Sequence, residues 1–410
     1  LRVLIVSQYF WPEAFRVNDL ALGLQALGHE VTVLTGIPNY PTGKFFEGYG
    51  LFRRRREDFS GVKVIRVPLI PRGNGSGWRL ALNYLSFAFL ASVLAPLYCR
   101  GEYDLILVYQ LSPVTVGLPA MILKSLKRAP MAFWIQDLWP ESLSATGAVH
   151  NRLALEMVGK LVRFIYAACD LILVQSMGFV PKVQEMAVEP ERIRYCPNWA
   201  EDLYQPVSPD GTFGREVEEL APGFRVMFAG NIGVAQDFGT ILAAAERLRS
   251  YEDIHWLILG DGRMRAWADE EVKRRGLTGV IHFLGRHPVE EMPSYFALAD
   301  VMLATLKREP IFALTVPCKV QSYLACGRPV IAALEGEGAR IVAEAGGLAC
   351  APEDPDALAQ AILELYRLPA GERDQLGRRG RAYYETHFER EVLLHQLESW
   401  MKALREGVSA

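Results

Sequence analysis

Short, unbroken apolar runs alternate with helical stretches along nearly all of this chain, and that alternation leaves few folds open. The first series is Arg2 to Ser7, residues 28–36, Val62 to Val67, Asp104 to Tyr109, Met131 to Ile135 and Asp170 to Val174. The second is Arg225 to Ala229, His255 to Gly260, Val280 to Leu284, Val301 to Ala304, Pro329 to Ala333 and Leu348 to Ala351. Strands covered on both faces read as continuous apolar runs, and helices between them demand parallel crossovers. The pattern predicts an α/β protein with two doubly wound parallel sheets. Between the series, residues 195–214 lack periodicity and are dense in Pro, Gly, Asp and Asn, as a linker is. A chain of 410 residues also exceeds one ordinary core. The expected division is a first domain at 1–195, a linker at 196–214, a second domain at 215–380 and a terminal helix at 381–410. The stretch Glu372 to Arg405 has no strand left to cover, so it is expected to return to the first domain. Two lobes of this kind face a cleft, and ligands bind where the strands end.

Charge is unevenly divided. Residues 1–200 hold 21 Lys and Arg against 15 Asp and Glu (+6), and the remainder holds 23 against 32 (−9). A basic first half suits an anionic partner. Its densest cluster, Arg53 to Arg56, has no aromatic ladder, which favours a membrane surface or a phosphate-bearing acceptor over nucleic acid; a solvated loop is the plain alternative. Leu80 to Tyr98 contains no charged residue and is long enough to cross a bilayer. Asn83, Ser86, Ser92 and Pro96 interrupt it, so a buried domain helix, a helix lying in the membrane interface and a true span all stay open. The six cysteines show no C-x-x-C spacing and read as reduced core thiols of a cytosolic protein. The histidines do not cluster as metal ligands. Because the chain starts on a strand, no leader peptide is expected.

Three stretches in the second series could receive an anion. Pro317 to Ala332 reads as a loop, a helix over Lys319 to Cys326, a stop at Gly327 and a buried strand. A lysine in a helix's first turn opposes the helix dipole, unless an anion binds there beside the free N–H groups of Val320 and its neighbours. A solvated surface lysine is the bland alternative. Gly230-Asn231-Ile232-Gly233 and Gly260-Asp261-Gly262 end two strands with residues small enough for close approach of a ligand. Neither is the dinucleotide fingerprint, since G-x-G-x-x-G is absent. Asp354-Pro355-Asp356 fits a helix cap better than a metal site. In the first series, Glu13, Arg16 and Asp137 follow strands and could converge on one ligand; their structural alternative is capping and a Glu13–Arg16 pair. An acid between two tryptophans at a strand's end favours a functional Asp137.

The residues SQYFWPEAFRVNDLA (7–21), GHEVTVLTGIPNYPTGKFFEGY (28–49), FWIQDLWPES (133–142), CPNW (196–199) and PCKVQSYLACGRPVIA (317–332) give the whole chain a resemblance to GT-B glycosyltransferases of the large retaining family four. Within that family it is similar to the WbuB-type L-fucosamine (N-acetyl-L-fucosamine) transferases of O-antigen and capsule synthesis. The resemblance implies two Rossmann-like domains facing a cleft. It also implies transfer of a sugar from a UDP-sugar held in the second domain to a polyprenyl-diphosphate-linked saccharide in the first, at the cytoplasmic face of the membrane and without a metal. A GDP-sugar donor, or 2-epimerase chemistry on UDP-N-acetylglucosamine, is the alternative on the same architecture.

Carried over by residue, the resemblance has Asn231 and Gly233 line the donor diphosphate, while Lys319 and the N–H groups from Val320 hold its phosphates. It sets Gly262 near the nucleotide and Arg286 near the base, and it gives Asp137 or Glu13 the acceptor and the charge at the anomeric carbon. There are departures. The two acids that most relatives carry with seven residues between them fall here at Leu314 and Ser322, leaving Glu309 as a substitute for the first. A Gly-Gly loop is replaced by Glu13-Ala14-Phe15-Arg16, a His by Gln136, and a Lys by Gln236. Arg16 and Lys319 are therefore expected to carry more of the phosphate charge.

Overall fold

The structure, a computed structural model, describes residues 1–145, 151–208, 217 and 222–407. Residues 209–214 of the expected linker, 215–216 and 218–221 of the expected second domain, and 408–410 of the expected terminal helix lie outside the described residues. The chain divides into two compact units, Leu1–Pro197 with Glu391–Ala410, and Asn198–Arg390.

The first unit is built on β1 (Arg2–Val6), β2 (Glu30–Gly36), β3 (Arg56–Phe59), β4 (Val62–Val67), β5 (Leu105–Gln110), β6 (Met131–Ile135), β7 (Leu171–Val174) and β8 (Ile193–Tyr195). Their order in the sheet is β3-β4-β2-β1-β5-β6-β7-β8, parallel throughout except that β3 runs antiparallel to β4. The apolar runs predicted as strands are strands, and β5, β6 and β7 are buried along their whole length. Two strands were not expected. β3 reads Arg-Glu-Asp-Phe inside what the sequence presents as a loop, and β8 is a three-residue edge. The order reverses direction between β1 and β5, which opens the crevice at their carboxyl ends.

The apolar segment forms a helix, Gly77–Tyr98. One stripe of it, Asn83, Phe87, Ala88, Ala91 and Ala95, is buried against the fold; the small alanines let it sit close to helix Gly117–Lys127. Asn83 is not an interruption but an anchor. Its Nδ2 donates to the Ile70 carbonyl at 2.6 Å and its Oδ1 accepts from Gln8 Nε2 at 2.7 Å. The opposite face leaves Trp78, Leu82, Leu85, Phe89, Val93 and Leu97 exposed at helical spacing.

The second unit carries β9 (Phe224–Ala229), β10 (Ile254–Leu259), β11 (Ile281–Gly285), β12 (Val301–Thr305), β13 (Val330–Ala333) and β14 (Leu348–Cys350). They are all parallel, in the order β11-β10-β9-β12-β13-β14. That is the third-second-first-fourth-fifth-sixth order of a dinucleotide-fold sheet, with its reversal between β9 and β12. Alternate residues feed separate cores on the two faces. Met227, Leu257 and Met302 pack with Tyr323 and Phe296, whereas Phe228, Trp256 and Leu303 pack with Ile241 and Ile362. The run expected to be one helix from Glu372 is two, Ala370–His387 and Arg390–Glu406, with Phe388 buried at the break. The first stays with the second unit, where the Tyr384 hydroxyl bonds the backbone of Ala200; in the first unit, Arg405 of the later helix reaches Asp104 at 3.6 Å.

Candidate active site

In the second unit the site begins with helix Cys318–Ala325, one residue earlier than the sequence suggested. Lys319 and Tyr323 are four residues apart and share a face. Tyr323 donates to the Ala229 carbonyl at 2.9 Å and accepts from the Ala229 N–H at 3.0 Å, which clamps the helix to the last residue of β9. This clamp aims Lys319 at the turn that follows β9. Its Nζ lies 3.7 Å from the centre of the Phe228 ring, fully buried and without a hydrogen-bond partner. Burial pushes the amine down to about 7. The solvated-surface reading of this lysine therefore does not fit the geometry: its amine is sealed from water and has no hydrogen-bond acceptor.

The glycines around it leave room that any side chain would fill. Gly230 has φ +136°, and a Cβ there would stand 3.1 Å from Lys319 Nζ. At Gly262 a Cβ would lie 2.4 Å from the Ile232 carbonyl, and at Gly233 2.5 Å from Asn231 Nδ2. The two turns are bonded to one another: Ile232 N–H donates to the Asp261 carbonyl and Met264 N–H to the Ile232 carbonyl, both at 2.9 Å. Gln236, where a lysine was expected, closes the turn instead. Its Oε1 accepts from Gly233 N–H at 3.2 Å and its carbonyl from Thr305 Oγ1 at 2.5 Å. Asn231, Gly233, Gly262, Lys319 and Val320 thus belong to one end of the sheet. Arg286 stands exposed after β11 with its Nε 3.6 Å from Asp261. Glu309 precedes the short helix Pro310–Leu314 beyond β12 without a side-chain capping bond, and Ser322 is buried. Tyr323 and Phe228, which hold the lysine, were missed; the i, i+4 spacing from Lys319 was the signal for the first.

In the first unit the charged groups are already served. Glu13 is buried, and its carboxylate is held by backbone. Its Oε1 accepts from the N–H groups of Asn39 (2.8 Å) and Tyr40 (2.7 Å), and its Oε2 from that of Phe10 (3.4 Å). Burial still pushes its carboxyl up to about 7. Glu13 thereby ties the turn after β1 to the Asn-Tyr-Pro-Thr-Gly loop after β2. Arg72 completes this corner, donating to the Tyr9 hydroxyl at 3.0 Å and lying over Tyr40. Arg16 sits at the start of helix Val17–Ala26, where Asn18 bonds Trp11 and Glu13 backbone groups. Asp137 follows β6. Its carboxylate accepts from Ser142 Oγ and, at 3.3 Å, from Trp139 Nε1, while its carbonyl accepts from Gln110 Nε2 at the end of β5. Burial pushes Asp137 up to about 6. Asp354 is a helix cap, accepting from Asp356 and Ala357 N–H groups, and Asp356 pairs with Arg247. Among the described residues no group of three or more His, Cys, Asp or Glu is placed to hold a metal.

A buried amine beside glycine turns stands at the reversal of a parallel sheet, the place where such sheets bind ligands. Family comparison makes the class specific. Residues 14–199 match the glycosyl transferase 4-like domain and residues 223–367 match glycosyl transferases group 1. The chain belongs to the GT-B glycosyltransferases and is a glycosyltransferase enzyme. The putative colanic acid biosynthesis glycosyl transferase WcaI of Escherichia coli K12 is 25% identical over 97% of this chain and 98% of its own length. The probable glycosyltransferase WbjE of Pseudomonas aeruginosa is 30% identical over 61% of this chain, and the match spans 64% of WbjE, a little under two thirds. A GDP-mannose-dependent mannosyltransferase of Corynebacterium glutamicum is 31% identical over 40% of this chain and 42% of its own length. Sucrose-phosphate synthase of Thermosynechococcus elongatus shares the fold at TM-score 0.77 and 19% identity, covering 99% of both chains. Anabaena HepE in complex with UDP does so at 0.70 and 15%, over 98% of this chain and all of that one.

Proposed function

We propose that this enzyme moves a sugar from a UDP-sugar to a polyprenyl-diphosphate-linked saccharide in cell-surface polysaccharide synthesis, at the cytoplasmic face of the membrane. The observation that carries this reading is Lys319: a buried, unpartnered amine against the β9 turn, which lacks the acceptor that a diphosphate would supply. The complexes of HepE with UDP and with UDP-glucose support a nucleoside diphosphate sugar as donor. WcaI's colanic acid role supports a polysaccharide pathway. The sugar we propose is an N-acetylated amino-deoxyhexose such as N-acetyl-L-fucosamine, as in the WbuB-type transferases.

The mechanism follows from the groups present. As the anomeric bond breaks, negative charge grows on the departing diphosphate. Lys319, in its charged form, stabilises it, so no metal is required; the Val320, Ile232 and Gly233 N–H groups already bond Pro317, Asp261 and Gln236 and would meet a phosphate only as shared donors. The departing phosphate can take the acceptor's proton on the face it leaves, which retains the configuration. Asp137 orients the acceptor or stabilises positive charge at the anomeric carbon. Glu13 holds the loop that Asn39 and Tyr40 belong to. On the exposed stripe of helix Gly77–Tyr98, lipid tails would replace water against Leu85 and Phe89, and Arg53 to Arg56 would meet anionic head groups, which is how the enzyme reaches a lipid-linked acceptor.

A thermal-shift panel of UDP-, GDP- and dTDP-sugars tests the donor, because a ligand bound by the native state raises the midpoint. UDP-sugars should shift it. A shift with GDP-sugars alone would establish the second reading, a GDP-sugar transferase, which the Corynebacterium relative favours. Sugar interconversion in the absence of any acceptor would sink the transferase reading in favour of an epimerase.

A further inference from the structure

A cavity of about 490 Å³ opens at the amino ends of β1 and β2, away from the strand ends that carry Glu13 and Asp137. Arg2, Arg56, Lys63 and Arg100 line it together with Tyr98 and Tyr103. Its three acids are occupied: Glu102 by Arg2 at 3.0 Å, Glu30 by Lys63 at 2.5 Å and Glu57 by the buried Arg66 at 2.8 Å. Among the described residues, Arg56 and Arg100 have no carboxylate partner. Two guanidinium groups therefore border the cavity without a carboxylate, Arg100 using only its Nε on the Leu97 carbonyl at 3.1 Å, an arrangement that suits a phosphate.

The surroundings say where that phosphate comes from. Tyr98 ends the helix whose outer face is apolar, and Leu97 beside it is exposed. Arg55 Nη1 donates to the Tyr98 hydroxyl at 3.0 Å and lies over the Phe52 ring, so the basic loop is fastened to the helix end. Phe52 itself is 83% exposed, at the tip of that loop. Tyr98 and Arg56 line the cavity itself, and Arg55 links Tyr98, at the end of the apolar stripe, to the Phe52 tip. Tyrosine at such a boundary keeps its ring among acyl chains and its hydroxyl among head groups.

We propose that this cavity seats the phosphate head group of an anionic phospholipid while the helix stripe and Phe52 lie in the bilayer. The inference rests on the membrane reading above and adds to it a specific lipid site, separate from the acceptor end of the sheet. The volume accommodates a phosphate with its glycerol, being within the range of small-molecule sites, roughly 300–1,000 Å³. Bound there, the head group would fix the depth and rotation of the first unit at the surface.

The test uses the full chain and short-chain phosphatidylglycerol below its micelle concentration, titrated by calorimetry. One saturable site is expected. The variant Arg56→Gln/Arg100→Gln should weaken it roughly tenfold or more, while Arg53→Gln/Arg54→Gln, with the same charge change, should alter it by less than about threefold. Equal losses in the two variants, equal binding of short-chain phosphatidylcholine, or no saturable binding would each overturn the proposal. Inorganic phosphate displacing the lipid at similar concentration would overturn the lipid as the source. All four positions are exposed, and unchanged thermal melts confirm that the variants fold. Sedimentation with phosphatidylglycerol vesicles, using Leu85→Ser/Phe89→Ser, examines the membrane reading separately. Lost vesicle binding with the short-chain site intact supports both ideas. Unchanged vesicle binding overturns the bilayer reading, whatever the cavity does.

Discussion

The two units share a sheet plan but treat their buried charges in opposite ways. At the strand ends of the first, Glu13 receives three backbone N–H groups and Asp137 a hydroxyl and an indole. At the strand ends of the second, Lys319 is buried with an aromatic face and no hydrogen-bond acceptor. A buried polar group without a partner is costly, so it persists where a ligand supplies the partner. On the reading proposed above, the unsatisfied amine is the group that meets the substrate, and Glu13, with three N–H donors, holds a loop in place. The contrast ranks the residues by how directly each touches the reaction.

The largest effect is expected at Lys319. Replacing it with Met keeps the stem and removes the charge, so kcat/KM should fall by about 10²–10³-fold while the melting temperature holds or rises. A loss under threefold would break the contrast at its strongest point. Next comes Asp137→Asn. If Asp137 acts on acceptor or anomeric charge, kcat should drop at least about tenfold with the donor KM changed by less than about threefold. Equal activity would leave Asp137 as a bracket for Ser142 and Trp139 alone, and would make the first unit's acids uniformly structural.

The lysine also predicts a titration. Its folded-state value is lowered to about 7, so above that pH the empty site holds a neutral amine. A diphosphate favours the charged form, and binding must then take up a proton. UDP affinity should weaken by up to about tenfold per pH unit above 7, and calorimetry in buffers of different ionisation heat should register uptake approaching one proton. Pure electrostatic attraction by surface arginines would give no such uptake. Without ligand the sign is reversed: the depressed amine costs the native state most at low pH, and stability recovers as pH rises from about 7 towards the ordinary lysine value.

Much of this was legible before the structure. Parallel strands are covered on both faces, so β1, β5 to β7 and the second unit's strands announce themselves as apolar runs. Exposed edges do not: β3 is three charged residues and a Phe, and only its pairing with β4 makes it a strand. Helix Gly77–Tyr98 was ambiguous because it is apolar all round; its inner stripe is recognised by small alanines and by Asn83, a polar residue that looked like a flaw. At the site, the glycine turns and Lys319 could be found from strand ends and helix starts. Partners distant in sequence could not. Glu13 meets amides 26 and 27 residues away, and nothing local distinguishes such an acid from a catalytic one.

Glu13→Gln sharpens that last distinction and should have the smallest effect. The amide oxygen can still accept from Asn39 or Tyr40, but its NH₂ group faces donors, so part of the bracket is lost at about 1 kcal/mol or a little more. Turnover should change by less than about threefold, because the carboxylate is buried and three of its about four acceptor sites are taken by backbone N–H groups. The pH dependence carries the clearer signature. Glu13's folded-state value is raised to about 7 from an ordinary 4.5, so the native protein holds this proton more tightly than the unfolded chain does. The wild-type advantage is therefore full below the ordinary value and declines as pH climbs to about 7. Glutamine does not titrate. The melting temperature of the wild type should exceed that of the variant by more at pH 5 than at pH 7, with the gap narrowing by about 2–4 °C. A gap independent of pH would mean that Glu13 is ionised throughout, its three N–H donors outweighing burial, and the first unit would then hold a true buried anion opposite in sign to Lys319.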